Sequence, residues 1–367
     1  MPVDLGTLPP TEIAGRIPAL RSALDGAECD ALLVTKLENV RYLTGFSGSA
    51  GFLLVTADRA LLTSDGRYAE QAAAQLALGG VDAEIAIGRL DVQLDAIRMC
   101  AGSGRVGVEA SSCSWALVTR LEATFGRPLV ATRGVVEQLR IVKDAGELAR
   151  IEAACGIADV ALAQVKGRLL DGISESEFAA ELEFEMRRRG SSGPAFETIV
   201  ASGPNSALPH ARPGDRVPVE GDLVVVDFGA TVDGYRSDMT RTFTIGDPSP
   251  GLGALLDAVY AAQRAGVLRV GPGASGADID EAARAVLVDA GYGEYFLHST
   301  GHGVGLEIHE APAVAQGAAD ILPTGTIVTV EPGAYLAGRG GVRIEDTLVV
   351  TAEGARPLTK STKDPTL

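Results

Sequence analysis

The sequence predicts an α/β protein of two domains, with the second half better described as α+β. Three observations carry that reading. The chain has 367 residues, enough for two domains of ordinary size, and 46% of them are apolar, enough for real cores. Its first part alternates short apolar runs with alanine-rich helical stretches. Its second part contains a weak internal repeat in which helical stretches precede β-like runs.

In the first part, "DALLVT" (30–35), "GFLLVT" (51–56) and "RALLTS" (59–64) read as short buried strands bounded by turn residues. "GRYAEQAAAQLAL" reads as a helix, having no breaker in its alanine-rich run. "RVGVEA" and "PLVATRG" read as further strands. The stretch 142–170 is strongly helical, with Asp144 as its N-cap. The boundary is set just before it, giving an N-terminal α/β domain of 1–141 and a second domain of 142–367.

In the second domain "GDLVVVDFGATVDGYRSDMTRTFTI" (221–245) resembles "GTIVTVEPGAYLAGRGGVRIEDTLVV" (325–350). An acid follows each leading glycine by six positions, Asp227 after Gly221 and Glu331 after Gly325. Each copy then supplies another acid, Asp238 and Glu345. A half-domain duplicated about a pseudo-two-fold axis brings these four carboxylates together.

The first copy permits a register. Asp233-Gly234 between two β-like runs signals a two-residue hairpin turn. Val232 then faces Tyr235, and Asp227 faces Thr240. Alternation sets Asp227 and Asp238 on one face, diagonally across the ladder. Carboxylates inside apolar strands need partners. Arg236, Arg241 and Arg343 are one possible set; a metal explains the crowding of four acids better. In "GVRIED" alternation sets Arg343 and Glu345 on one face and Asp346 on the other, so Glu345 is the expected ligand and Asp346 an ordinary surface residue.

Three of the four histidines fall in "HSTGHGVGLEIHE", at His298, His302 and His309; the fourth, His210, lies in "SGPNSALPHARPG". All sit in glycine- or proline-flanked segments, and the glycines beside His302 leave room for a ligand or metal at the backbone. "HSTGH" has the histidine spacing of a zinc motif but lacks its glutamate. "GHGVG" lacks the full dinucleotide-loop pattern. A phosphate-binding loop and a nucleophile elbow are both absent.

The net charge of −16 argues against nucleic acid or an anionic membrane as partner. Cys29, Cys100, Cys113 and Cys155 form no C-x-x-C pair and read as reduced thiols. The first residues carry acids and prolines where a signal peptide needs a basic then apolar run. No apolar stretch is long enough to span a bilayer. The expected setting is cytoplasmic.

"DFGA…SDMTRT", "HSTGHGVGLEIHE", "TVEPGAY" and "GVRIEDT", in that order, resemble the aminopeptidase P and prolidase group of metallopeptidases, which share the pita-bread fold with methionine aminopeptidase and creatinase. The likeness extends into the first domain through "NVRYLTGFSGSAG" and "LTSDGRYAEQA", implying a creatinase/prolidase-type N-terminal domain. It implies two divalent ions held by Asp227, Asp238, His302, Glu331 and Glu345, with Mn²⁺ the first expectation and Co²⁺ or Zn²⁺ as alternatives. It implies that His210 and His309 bind substrate and stabilise the developing oxyanion. By the same likeness His298 lines the proline side, Glu331 shuttles a proton and Arg343 orients the ligand acids. The implied activity is cleavage between an N-terminal residue and a following proline, by a homodimer. Typical prolidases carry an arginine four residues after the histidine that matches His309, where this chain has Ala313. The expectation therefore leans towards aminopeptidase P. The alternative is Xaa-Pro dipeptidase, ahead of methionine aminopeptidase or a binding protein without activity.

Overall fold

The computed structural model describes residues 4–367. Its contacts divide the chain into two units, Pro10–Arg140 and Ile141–Leu367, the second joined by the segment before Pro10. That segment corrects the expected 1–141 span. Leu8 packs against the second unit's core, and Arg150 Nη1 donates to Pro9 O at 2.8 Å.

The first unit is built on one six-stranded sheet. Its strands are β1 (Ala31–Val34), β2 (Phe52–Thr56), β3 (Ala60–Ser64), β4 (Glu84–Ile87), β5 (Val106–Glu109) and β6 (Val130–Thr132), in the order β4-β3-β2-β1-β5-β6. The β1–β5, β3–β4 and β5–β6 pairs are parallel, and β1–β2 and β2–β3 are antiparallel. β1 and β3 are buried at every position, as continuous apolar runs require when both faces are covered. β4 is the edge strand the sequence pattern missed. Its residues are exposed or half-buried, and Glu84 spends its charge on Arg59 at 2.8 Å.

In the second unit the duplication is explicit. The first copy runs β7 (Ile199–Ser202), β8 (Leu223–Phe228), a small hairpin of β9 (Thr231–Val232) and β10 (Tyr235–Arg236), then β11 (Met239–Thr244). The second runs β12 (Gly301–Gly303), β13 (Glu310–Val314), β14 (Ile327–Val330), a hairpin of β15 (Gly333–Leu336) and β16 (Gly340–Arg343), then β17 (Asp346–Thr351) and β18 (Gly354–Pro357). The sheets are ordered β11-β8-β7 and β13-β12-β14-β17-β18. The leading glycines share one left-handed backbone, φ 89° at Gly221 and 88° at Gly325.

Helices Ala145–Val165 and Glu175–Arg188 precede the first copy, and Leu252–Arg269 and Gly276–Asp289 precede the second. Three of these four begin with a capping box, at Asp144, Ser174 and Ser275, each satisfying backbone N–H groups that the first turn leaves unpaired. Their apolar faces cover the strands: Phe178 and Leu182 pack with Val224 and Phe228, and Leu255 and Val259 with Val342 and Ile344. Among the described residues, no helix is long and apolar enough to cross a membrane.

Candidate metal centre

The Asp233-Gly234 turn has φ 46° and 76°, the two left-handed residues that a tight hairpin demands. It sets Val232 opposite Tyr235 and Asp227 opposite Thr240, the register expected from the turn. Asp227 sits at the end of β8, and Asp238 just before β11. In the second copy Glu331 follows β14, and Glu345 lies between β16 and β17. One cavity of about 710 Å³ in the second unit is lined by all four acids, all four histidines and Arg343. A volume of this size accommodates a short peptide.

The tightest constellation is Asp238, His302 and Glu345, whose ligand atoms lie within 4.8 Å of one another. His302 Nε2 stands 3.5 Å from Asp238 Oδ2 and 3.3 Å from Glu331 Oε1. Its Nδ1 lies 3.0 Å from Gly303 O, which can only accept, so Nδ1 carries the proton in the neutral ring. The Nε2 lone pair then points at carboxylate oxygens, an arrangement that a proton or a metal cation must relieve. Glu345 Oε2 accepts from Thr240 Oγ1 at 2.7 Å, and Asp227 Oδ2 accepts from Arg343 Nη2 at 2.6 Å. Their other oxygens, Glu345 Oε1 and Asp227 Oδ1, are buried with no hydrogen-bond partner. Orphaned buried carboxylate oxygens in a cavity that also holds an imidazole lone pair fit hard divalent cations.

Electrostatics agree. Burial pushes the Asp238 carboxyl well above its ordinary range, and the charges of Glu345, Asp227 and Glu331 add to the rise. Burial also raises Glu345, with Glu331 and Asp227 contributing. Burial opposes ionisation of Glu331, but the hydrogen bond and charge of His302 hold it below its usual value. Burial disfavours a proton on His302, yet the hydrogen bond and charge of Glu331, with Gly303 O and the Asp227 charge, outweigh it and raise the imidazole.

These directions predict a pH-dependent metal effect. Asp238 and Glu345 have folded pKa values above their unfolded ones, so the metal-free native state binds more protons. Their stabilising contribution is complete below the unfolded values near pH ~4 and is lost as pH rises through the raised ones. Metal removes that loss by taking the protons' place. The melting-temperature gain on adding Mn²⁺ is therefore expected to widen from about pH 5 to pH 8, by differential scanning fluorimetry. A constant or shrinking gain would count against the acids as ligands.

Arg343 ties the wall together. It is 4% exposed and donates to Asp227, to Tyr335 Oη at 2.8 Å, to Thr240 Oγ1 at 3.2 Å and to Pro209 O at 3.2 Å, the last steadying the loop that carries His210. His298 Nδ1 lies 2.8 Å from Ser299 O, so Nδ1 donates and Nε2 accepts from Tyr335 Oη at 2.8 Å. Burial lowers the His298 pKa and keeps the ring neutral. The His309 ring stands edge-on to His302 with centroids 4.4 Å apart, and its pKa is lowered by burial and by the His302 charge.

Three structural features escaped the sequence pattern. Tyr335 lies within the "TVEPGAY" motif, and nothing local reveals its contacts to Arg343 and His298. Asp280 and Arg284, one turn apart on helix Gly276–Asp289, clamp the histidine segment: Arg284 donates to His298 O at 3.0 Å and Asp280 accepts from Thr300 Oγ1 at 2.8 Å. Lys143 and Glu310 form a buried ion pair of 2.6 Å. Two expectations need correction. Asp346 is 2% exposed rather than a surface residue. It is paired with Arg241 at 2.9 Å and with Lys363, and accepts from Gln263 at 3.0 Å and Thr359 at 3.0 Å. The glycines beside His302 serve neighbouring strands rather than a metal: a Cβ on Gly301 would lie 2.1 Å from Thr329 O, and one on Gly303 2.2 Å from Ala311 O.

Comparison with known proteins adds family context. The model for metallopeptidase family M24 matches residues 149–352, and that for the creatinase/prolidase N-terminal domain matches 16–142. The chain is 36% identical over 343 residues to a protein named Xaa-Pro dipeptidase from Pyrococcus horikoshii, covering 93% of this chain and 95% of that one. It superposes on the solved structure of an Xaa-Pro dipeptidase from Bacillus anthracis with a TM-score of 0.92, at 40% identity over 96% of this chain and 99% of the other. It also superposes on an X-Pro aminopeptidase from Thermotoga maritima with a TM-score of 0.85, at 35% identity over 96% and 99%.

Proposed function

This chain belongs to metallopeptidase family M24, and we propose from that premise that it is a dinuclear Xaa-Pro peptidase acting on dipeptides. The observation that carries the metal part is the pair of orphaned oxygens, Asp227 Oδ1 and Glu345 Oε1, on residues that line one cavity with His302, whose Nε2 lone pair meets Asp238 and Glu331. Asp227, Asp238, His302, Glu331 and Glu345 would hold the ions. Four carboxylates carry about −4, which two divalent cations offset, and an oxygen-rich set with one imidazole suits Mn²⁺, or Co²⁺ or Zn²⁺. Bound there, such a pair lowers the pKa of water and polarises a peptide carbonyl.

The chain's own groups do the rest. His210 and His309 supply N–H donors to the carbonyl oxygen as it gains charge. Glu331, held ionised beside His302, takes the proton from water and passes it to the leaving proline nitrogen. Both His298 nitrogens are engaged, with Ser299 and Tyr335, so His298 packs against the proline ring instead of donating to substrate. Arg343 keeps Asp227 aimed at the ions.

The names of the relatives support the dipeptide reading over the aminopeptidase P reading, which Ala313 favours. Four free thiols and the acidic composition fit a reducing, cytoplasmic setting. A homodimer is the family-based expectation for its assembly. Incubating Mn²⁺-loaded protein with Ala-Pro, Ala-Pro-Ala and Ala-Ala tests the function. Ala-Pro is expected to be cleaved fastest and Ala-Ala not at all. Preferred cleavage of Ala-Pro-Ala would establish the aminopeptidase instead, and no cleavage of either proline peptide by metal-bound protein would end the proposal.

A further inference from the structure

A dipeptide bound for cleavage holds the carboxylate of its second residue away from its amine, and that anion needs a cation in a cavity already rich in acids. The arginines on the cavity wall are Arg343 and Arg212. Arg343 is buried and committed to Asp227, Tyr335, Thr240 and Pro209 O. Lys143, behind Glu310, is held in its own buried ion pair. Ala313 in β13 faces the cavity without a charge.

Arg212 differs from all of these. It lies two residues beyond His210, on the same loop, and its side chain is 81% exposed. It meets Glu197 at 3.3 Å, and Glu197 is itself 66% exposed and lines the same cavity. A pair so exposed is weak and readily exchanged for another carboxylate. The planar guanidinium suits bidentate capture of that anion.

We propose that Arg212 reads the C-terminal carboxylate of the substrate, releasing Glu197 to do so, and so sets the preference for dipeptides over longer chains. This rests on the Xaa-Pro peptidase reading.

The test compares Ala-Pro with Ala-Pro-amide, which lacks the anion, on Mn²⁺-loaded wild type, Arg212→Gln and Arg212→Lys. The wild-type preference for Ala-Pro, as a ratio of kcat/KM values, is expected to fall about tenfold or more in Arg212→Gln, through KM. Arg212→Lys should recover part of it. Being exposed, the position tolerates both changes without loss of fold. An unchanged ratio in Arg212→Gln, with wild type cleaving both substrates, overturns the assignment of Arg212 and leaves the peptidase reading standing. Failure of wild type to cleave either substrate overturns both.

Discussion

Asp238→Asn is expected to give a protein that is more stable than wild type without metal and inactive with it. Asp238 is 5% exposed, and burial together with Glu345, Asp227 and Glu331 disfavours its charge. Replacing it with a neutral isostere removes one member of a mutually repelling set. The metal-free protein should gain about 1–2 kcal/mol, the scale on which relieving a strained active site usually acts. The same change removes an anionic oxygen from the constellation with His302 and Glu345. Loss of several kcal/mol of Lewis-acid stabilisation corresponds to a rate lower by about 10³-fold or more. Thermal melts in EDTA, metal content by mass spectrometry and Ala-Pro turnover read the three effects separately. Turnover within about tenfold of wild type, or a melt unchanged in EDTA, would remove Asp238 from the centre.

Arg241→Met is expected to be the most damaging change outside the cavity. Arg241 is 2% exposed and reaches across the fold. It donates to Thr240 O at 2.9 Å, to Glu345 O, to Ser361 O at 2.7 Å and to Thr362 O at 3.1 Å, besides its ion pair with Asp346. Removing one partner of a buried pair costs about 3–5 kcal/mol, because the other groups stay buried and unsatisfied. Lys363 still meets Asp346, so most of the loss comes from the stranded carbonyls. Since Glu345 O is among them, the ligand-bearing segment should loosen too. The expected readings are a large drop in denaturation midpoint and weaker metal retention. A midpoint shift below about 1 kcal/mol would show that water replaces these bonds.

Much of the second unit was legible because its instructions are local. An Asp-Gly pair can turn a hairpin through two left-handed residues, and the turn fixes the register for the strands it joins. That is why Asp227 opposite Thr240 followed from Asp233-Gly234 alone. The capping box at Asp144 is equally local. The match of Gly221 with Gly325 exposed the duplication without any structure.

Other features depend on what lies opposite. Alternation correctly separated Glu345 from Asp346, but it cannot say whether the second face meets water. Here the segment around Thr359–Lys363 and Gln263 cover it, so Asp346 is buried with a network of its own. The Arg343–Tyr335–His298 chain likewise joins residues eight and thirty-seven positions apart. The glycines flanking His302 answer to backbones at Thr329 and Ala311.

The sequence by itself determined the hairpin and the duplicated acids and pointed to cations among them, since turn dihedrals and the repulsion of clustered carboxylates are written in short spacings. Only the tertiary structure decided which oxygens stay unpartnered, which arginine serves which acid and which wall of the cavity keeps an exposed cation. Those outcomes are set by burial and by contacts between segments a hundred residues apart, and no local pattern encodes them.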